Sequence, residues 1–112
     1  MSFEWRDYLL HIAGEAEYLR RTSAGVSAEA FLADETLQRA FVRSLQVIGE
    51  ATKKLPDDFR AAHPEVQWSS LARMRDRLIH GYFGVDYQLV WDVVKNKIPE
   101  LSEAVDRMFL GG

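Results

Sequence analysis

The densest cluster of side chains that could do chemistry lies in residues 73–82, which read RMRDRLIHGY. A histidine side chain exchanges protons near neutral pH, so His80 can act as an acid or a base. Arg75 is a permanent cation whose forked guanidinium suits a phosphate group. These residue types favour proton transfer beside a bound anionic group.

Helical spacing predicts which side chains of this cluster meet. Asp76 and His80 are four residues apart, so on a helix the carboxylate can hydrogen-bond the imidazole, which would orient the ring and favour the imidazolium. Arg73 and Arg77 share another face by the same spacing. Arg75 lies about 140° around the axis from His80, although its long side chain could still reach the same pocket.

Each of these features also has a purely structural interpretation. A histidine followed by glycine, as in His80-Gly81, is typical of the end of a helix. The three arginines could form a solvated face that Asp76 balances. Glu50, beside Gly49, is either a surface charge or a partner for one of the arginines.

The segments before the cluster predict helices. From Trp5, apolar residues recur every three or four positions to Leu19, which predicts a first long helix. Ser27 is a candidate N-cap of a short helix or turn, and Asp34 of a second long helix that Pro56 ends. Gly49 within this second helix would allow another helix to approach closely.

The cluster itself falls on a predicted third helix. This helix opens at Ser69 or Ser70 and reaches at least His80. After a break, Asp86 can cap a fourth helix, and Pro99 either kinks that helix or starts a separate one. Because no segment alternates with the period of a strand, the sequence predicts an all-α bundle of four or five helices.

Composition limits the class of protein. The chain has 112 residues, of which 47% are hydrophobic and 28% charged, and we expect a single domain over residues 1–112 without disorder or a membrane span. The charged, aromatic N-terminus is unlike a signal peptide, and we expect a cytoplasmic location by default. The net charge of −3 restricts nucleic-acid contact to a local basic patch.

Several classes of site are excluded or unsupported. The chain has no cysteine, which excludes disulfides, a thiol nucleophile and cysteine-ligated metals. His11, His63 and His80 lie far apart in the sequence and form no metal-binding spacing. The glycine motifs of nucleotide-binding loops and of serine hydrolases are also missing, so we expect no cofactor.

The cluster has a family resemblance. The run from Arg75 through His80 to Tyr82 resembles the R-x4-H-x-Y signature of the HEPN superfamily. The sequence on both sides of this run is similar to the HepT family. The matching segments occur in the same order as in that family, from about Tyr8 to Leu101. The matching segments are residues 48–51 (IGEA), 53–55 (KKL), 63–65 (HPE), Trp68, 80–86 (HGYFGVD) and 90–91 (VW).

The resemblance implies a fold, an activity and residue roles. It implies a HEPN-like antiparallel helical bundle that forms a homodimer and acts as a metal-independent endoribonuclease on tRNA or mRNA. Arg75 and His80 match the catalytic pair of the family, and Asp76 matches the polar residue that usually follows the arginine. Tyr82 matches the tyrosine that an MntA-type nucleotidyltransferase modifies with AMP. Arg73 and Arg77 are then candidate contacts for RNA or a partner.

Two functions of different classes remain open. The first is the toxin of a type VII-like toxin–antitoxin module, in which two protomers would supply the base and the acid that RNA cleavage needs. The second is a non-catalytic helical module that presents substrate to a minimal nucleotidyltransferase. The acidic net charge favours the second, because electrostatic steering helps a ribonuclease. The intact Arg75, His80 and Tyr82 favour the first.

Overall fold

The computed structural model describes residues 4–80 and 84–111. Its α-helices are α1 (Trp5–Ser23), α2 (Ala28–Leu32), α3 (Glu35–Lys54), α4 (Asp57–Ala62), α5 (Trp68–Ala72), α6 (Met74–Leu78), α7 (Tyr87–Asp92) and α8 (Ile98–Leu110). A π-helical segment, Val93–Lys97, joins α7 to α8. In the described ranges no strand of a sheet occurs, so the predicted all-α class is confirmed, with more and shorter helices than expected.

The core is built from the apolar faces of the three longest helices. α1 packs against both α3 and α8, and its predicted stripe is buried from Leu9 to Leu19, while Trp5 at its start is half-buried. The fully or almost fully buried side chains include Leu9, Ile12, Leu19, Phe41, Leu45, Ile48, Ile98, Leu101 and Val105. Polar contacts also cross this packing: the Ser44 hydroxyl donates to the Glu15 carboxylate at 2.6 Å, and Nη1 of Arg20 donates to the Ser102 hydroxyl at 3.2 Å. The core therefore holds α3 in place for the elements that follow.

Gly49 allows α5 and α6 to lie against α3. A Cβ atom at this position would be 2.9 Å from the backbone carbonyl oxygen of Leu71 and 3.5 Å from the Cβ of Met74. Any side chain at position 49 would therefore push the α5–α6 segment outward. The prediction that this glycine permits close helix approach is confirmed.

The predicted third helix is broken and shorter than expected. It begins at Trp68, is interrupted at Arg73 and ends at Leu78, so the prediction that it reaches His80 is wrong. Ile79 has extended backbone angles, φ −108° and ψ 115°. The next backbone groups bond across to residues 84–86 instead of continuing the helix, and this pairing ends α6 two residues before His80.

The segment around Pro99 continues without interruption. Val93–Lys97 forms a π-helical turn, and Pro99 follows in the first turn of α8. A proline inside an α-helix has no N–H to donate and its ring clashes with the carbonyl four residues earlier. A wider turn before the proline relieves this conflict, so the structure joins the predicted fourth and final helices end to end.

The predicted caps are confirmed. Ser27 Oγ accepts the N–H of Ala30 at 3.0 Å, and Asp34 Oδ1 accepts the N–H of Leu37 at 3.1 Å. Pro56 lies after the end of α3, as predicted, and immediately before α4. None of the helices in the described part of the chain has an apolar stretch long enough to cross a membrane.

Substitution of Gly49 tests the close approach. We expect Gly49→Ala to lower the free energy of unfolding by about 1–3 kcal/mol, because the new methyl group must displace a backbone carbonyl. Gly14→Ala is the matched control: Gly14 lies in α1, and an added Cβ would meet no described atom within 4 Å beyond the neighbouring backbone of its own helix, so alanine should stabilise by about 0.5–1 kcal/mol. Urea unfolding of both variants checks this, and equal stabilisation by the two would contradict the packing at Gly49.

Candidate active site

α6 presents Arg75 to solvent. The side chain is exposed, and within residues 4–80 and 84–111 its guanidinium makes no hydrogen bond or ion pair. Its backbone carbonyl accepts the N–H of Ile79 at 2.9 Å, which is the last bond of α6. The main chain of Arg75 is therefore hydrogen-bonded to Ile79, the residue that precedes His80. Its guanidinium has no hydrogen-bond or ion-pair partner among the described residues.

A short antiparallel pairing carries His80. The N–H of Asp86 donates to the carbonyl oxygen of Leu78 and the N–H of His80 donates to that of Gly84, each at 2.8 Å. Ile79 and Val85 form the antiparallel bridge between them. Gly84 has φ 80°, a backbone conformation that glycine adopts without strain. The pairing fixes the backbone around His80, because residues 78–80 bond to residues 84–86.

The imidazole of His80 faces Asp86. Nε2 of His80 lies 3.8 Å from Oδ2 of Asp86, and the two side chains are 53% and 42% exposed. The other carboxylate oxygen of Asp86, Oδ1, accepts the N–H of Leu89 at 3.0 Å and caps α7. His80 is thus held beside a carboxylate yet remains accessible to a ligand.

The predicted contact between Asp76 and His80 is absent from the described part of the structure. Because α6 ends at Leu78, the two residues no longer share a helical face, and the exposed Asp76 carboxylate makes no hydrogen bond there. Asp86 takes the place predicted for Asp76. The sequence predicts Asp86 only as a helix cap. Gly81 and Gly84, at a spacing typical of hairpins, were the signal that could have placed position 86 opposite position 78.

Arg73 and Arg77, the other two arginines of the cluster, lie in surroundings different from those of Arg75. Arg77 is half-buried, and its Nη1 donates to the Ser70 hydroxyl at 2.8 Å. It lines a groove with Lys97 and Arg107, and neither Arg75 nor His80 contributes to that groove. Arg73 is exposed at the break between α5 and α6. The sequence-predicted role of Arg73 and Arg77 in contacts with RNA or a partner stays a prediction.

Glu50 and the other histidines lie outside this arrangement. Lys53 Nζ lies 3.3 Å from Glu50 Oε1 on the surface of α3, so Glu50 is a surface charge and does not pair with an arginine of the cluster in the described residues. His11 is exposed on α1. His63 packs against the ring of Phe59, with a centroid distance of 4.6 Å. In the described ranges no group of three His, Asp or Glu side chains could hold a metal ion.

Of the aromatic residues that follow His80, the structure describes Tyr87 and Trp91. Tyr82 and Phe83 lie outside the described residues, so the predicted modification site at Tyr82 stays a prediction. Trp91 is buried in the core: its ring centroid lies 5.2 Å from that of Phe31, and the Lys95 ammonium lies 5.4 Å from the Trp91 centroid. The core contact of Trp91 anchors α7, whose cap is Asp86.

This arrangement combines two chemical capacities. An exposed imidazole can accept or release a proton, and a carboxylate beside it can orient the ring for that transfer. A guanidinium without a protein partner among the described residues can bind a phosphate oxygen. Together they can bind a phosphodiester and move protons at it.

Comparison with known proteins gives a consistent result. The family described as Ribonuclease HepT-like matches residues 12–108. A protein of Caldanaerobacter subterraneus subsp. tengcongensis named "Putative RNase TTE0752" is 51% identical over 100 residues, which are 89% of this chain and 89% of that protein. A protein of Thermococcus cleftensis named "Probable ribonuclease HepT" is 44% identical over 103 residues, covering 92% of this chain and 94% of that protein.

No solved structure matches the chain. The family match includes both Arg75 and His80 and spans most of the residues described above. On this match and the two near full-length relatives, the chain belongs to the HepT-like ribonuclease family.

Proposed function

We propose that this chain is an endoribonuclease that cleaves RNA without a metal ion, with Arg75 and His80 as its catalytic pair. One observation carries the proposal: the half-exposed His80 imidazole sits beside the Asp86 carboxylate, immediately after the helix that carries the exposed Arg75. RNA contains its own nucleophile, the 2′-hydroxyl, so the protein must supply only proton transfer and a cation for the phosphorane. The two side chains match those needs.

Cleavage of the RNA chain requires two proton transfers, one from the 2′-hydroxyl and one to the 5′ oxygen. One imidazole takes the proton of the 2′-hydroxyl as O2′ attacks the phosphorus atom. The bond from phosphorus to the 5′ oxygen then breaks, and that oxygen receives a proton from an imidazolium. The products are a 2′,3′-cyclic phosphate and a 5′-hydroxyl. Arg75 stabilises the extra negative charge on the phosphorane oxygens.

The need for two proton-transfer groups supports a homodimer. The cluster supplies one histidine for each chain, and a base and an acid are required at the same bond. A two-fold dimer with both Arg75/His80 pairs facing a shared cleft provides both from identical chains. Arg73, exposed at the break before α6, is then available to contact the RNA backbone.

Regulation by a partner extends the proposal. In the HepT resemblance, an MntA-type nucleotidyltransferase attaches AMP to the tyrosine that corresponds to Tyr82, and the pair forms a type VII-like toxin–antitoxin module. Tyr82 follows His80 by two residues, so an added adenylate would crowd the cleft. Its phosphate would also compete with RNA for Arg75. We propose this toxin function, with tRNA or mRNA as target.

The second candidate is a non-catalytic partner that presents substrate to such a nucleotidyltransferase. The net charge of −3 favours it, since an acidic protein repels RNA at long range. Both candidates predict a nucleotidyltransferase partner, so only an assay of RNA cleavage separates them.

Removal of either catalytic side chain should abolish most of the activity. We expect His80→Ala and Arg75→Ala each to lower the cleavage rate by at least ~100-fold, through loss of proton transfer and of phosphorane stabilisation respectively. The matched controls are His11→Ala and Arg43→Ala, which remove exposed side chains of the same types from α1 and α3. Rates on a fluorescent RNA oligonucleotide in excess EDTA measure the effect.

The catalytic pair would be disproved by His80→Ala cleaving at the wild-type rate. A loss of wild-type activity in EDTA would disprove the metal-free mechanism. If wild-type protein purified without a partner cleaves none of a panel of tRNA and mRNA substrates, the non-catalytic candidate is favoured.

The assembly has its own test. We expect light scattering at micromolar concentration to give twice the chain mass of 12.9 kDa. A monomer at that concentration would contradict the shared cleft, because a single chain offers one histidine in the cluster for two proton transfers.

Modification of Tyr82 is tested by mass. We expect co-expression with an MntA-type nucleotidyltransferase to add AMP units to the wild-type chain, and Tyr82→Phe to remove the addition, because the ring is kept and the acceptor oxygen is lost. Tyr87→Phe, a nearby tyrosine at the start of α7, should still be modified. An unchanged mass increase on Tyr82→Phe would place the modification elsewhere.

A further inference from the structure

Asp86 makes three separate contacts around His80. Its backbone N–H donates to the carbonyl oxygen of Leu78 at 2.8 Å and so closes the antiparallel pairing. Its Oδ1 accepts the N–H of Leu89 at 3.0 Å and caps α7. Its Oδ2 lies 3.8 Å from Nε2 of His80. The main chain and one carboxylate oxygen thus fix the residue, and the second oxygen is left facing the imidazole.

These contacts leave the carboxylate little freedom. Rotation of the Asp86 side chain would break the cap of α7, whose neighbouring Val90 and Trp91 are buried in the core. The position of Oδ2 is therefore set by the fold and not by the histidine. In the described residues no other side chain pairs with the His80 imidazole. The orientation of the ring accordingly depends on Asp86.

We propose that Asp86 is the positioning residue of His80, a proposal that rests on the catalytic role argued above. The carboxylate oxygen attracts a proton on Nε2, which keeps the neutral ring in the tautomer protonated there. The lone pair of Nδ1 is then presented to the 2′-hydroxyl of RNA. The 3.8 Å separation is an ion-pair distance, and catalytic hydrogen bonds commonly shorten from such values when the substrate binds.

Replacement of Asp86 by asparagine separates this role from capping. Asparagine caps a helix about as well as aspartate, so its Oδ1 keeps the bond to Leu89. Its amide NH₂ then faces Nε2 of His80 in place of an oxygen. Because that amide donates and does not accept, it favours a lone pair on Nε2 and a proton on Nδ1. Nδ1, which faces the RNA, would then carry a proton and could not accept one from the 2′-hydroxyl, a tautomer error like that of a serine protease whose orienting aspartate is replaced by asparagine.

The experiment combines a spectroscopic and a kinetic measurement on the full chain. The variants are Asp86→Asn and Asp86→Ser, since serine also caps well but is too short to reach the imidazole. Asp34→Asn is the matched control, because Asp34 caps α3 by the same bond. The ring nitrogen shifts of ¹⁵N-labelled histidine give the tautomer of His80 in the RNA-free protein at alkaline pH. Cleavage of an RNA oligonucleotide gives kcat and KM.

We expect wild type and Asp34→Asn to hold the proton on Nε2 and Asp86→Asn to move it to Nδ1. Both Asp86 variants should lower kcat by about 10-fold or more with less than a twofold change of KM, while thermal unfolding stays within a few degrees of wild type. A merely structural role would leave the tautomer unchanged in the folded Asp86→Asn protein, and that result would overturn the proposal.

The two readouts separate this inference from the proposed function. If wild type cleaves no RNA but Asp86→Asn still moves the proton, Asp86 positions His80 and the ribonuclease proposal fails. If wild type cleaves RNA and both Asp86 variants keep the wild-type kcat, the positioning role is wrong and the ribonuclease proposal stands. If Asp86→Asn does not fold, an unchanged kcat in folded Asp86→Ser overturns the positioning role.

Discussion

The close contact between Gly49 of α3 and the carbonyl oxygen of Leu71 is the constraint on which the site depends. A Cβ atom at position 49 would lie only 2.9 Å from that oxygen, so only a residue without a side chain leaves room for the backbone of α5. α3 is itself fixed by its packing on α1 in the core. Through this contact the core determines where α6 lies, and α6 carries Arg75. A rigid helix on a rigid core is a suitable support for a cation that must meet a phosphate accurately.

His80 is positioned by a different device. It belongs neither to α6 nor to α7 but to the short pairing between them, in which Asp86 bonds both to the end of α6 and to the start of α7. A histidine at a helix end would be oriented mainly by the helix dipole, whereas here a carboxylate on a fixed backbone faces the ring. The catalytic pair that we propose therefore depends on two supports, the Gly49 contact for the arginine and the Asp86 contacts for the histidine.

Local chemistry determined what could be predicted from the sequence. The caps at Ser27, Asp34 and Asp86 and the apolar stripe of α1 depend on neighbouring residues, and all four predictions are confirmed. The end of α6 depends on bonds from Leu78 and His80 to residues several positions later, so helical periodicity extended the helix too far. That error also produced the wrong partner for His80, since Asp76 is four residues away only on a helix. The family resemblance identified Arg75 and His80, but it gave no information about Asp86 as a partner of the imidazole.

The central claim is that the 2′-hydroxyl of RNA is the nucleophile and that the protein supplies proton transfer and a cation. The most direct test is cleavage of a DNA oligonucleotide that contains a single ribonucleotide, with product ends identified by mass spectrometry. We predict one cut, directly 3′ to the ribonucleotide, that leaves a 2′,3′-cyclic phosphate and a 5′-hydroxyl, and no cut in the all-DNA strand. Cleavage of the all-DNA strand, or products with a 3′-hydroxyl and a 5′-phosphate, would contradict the mechanism.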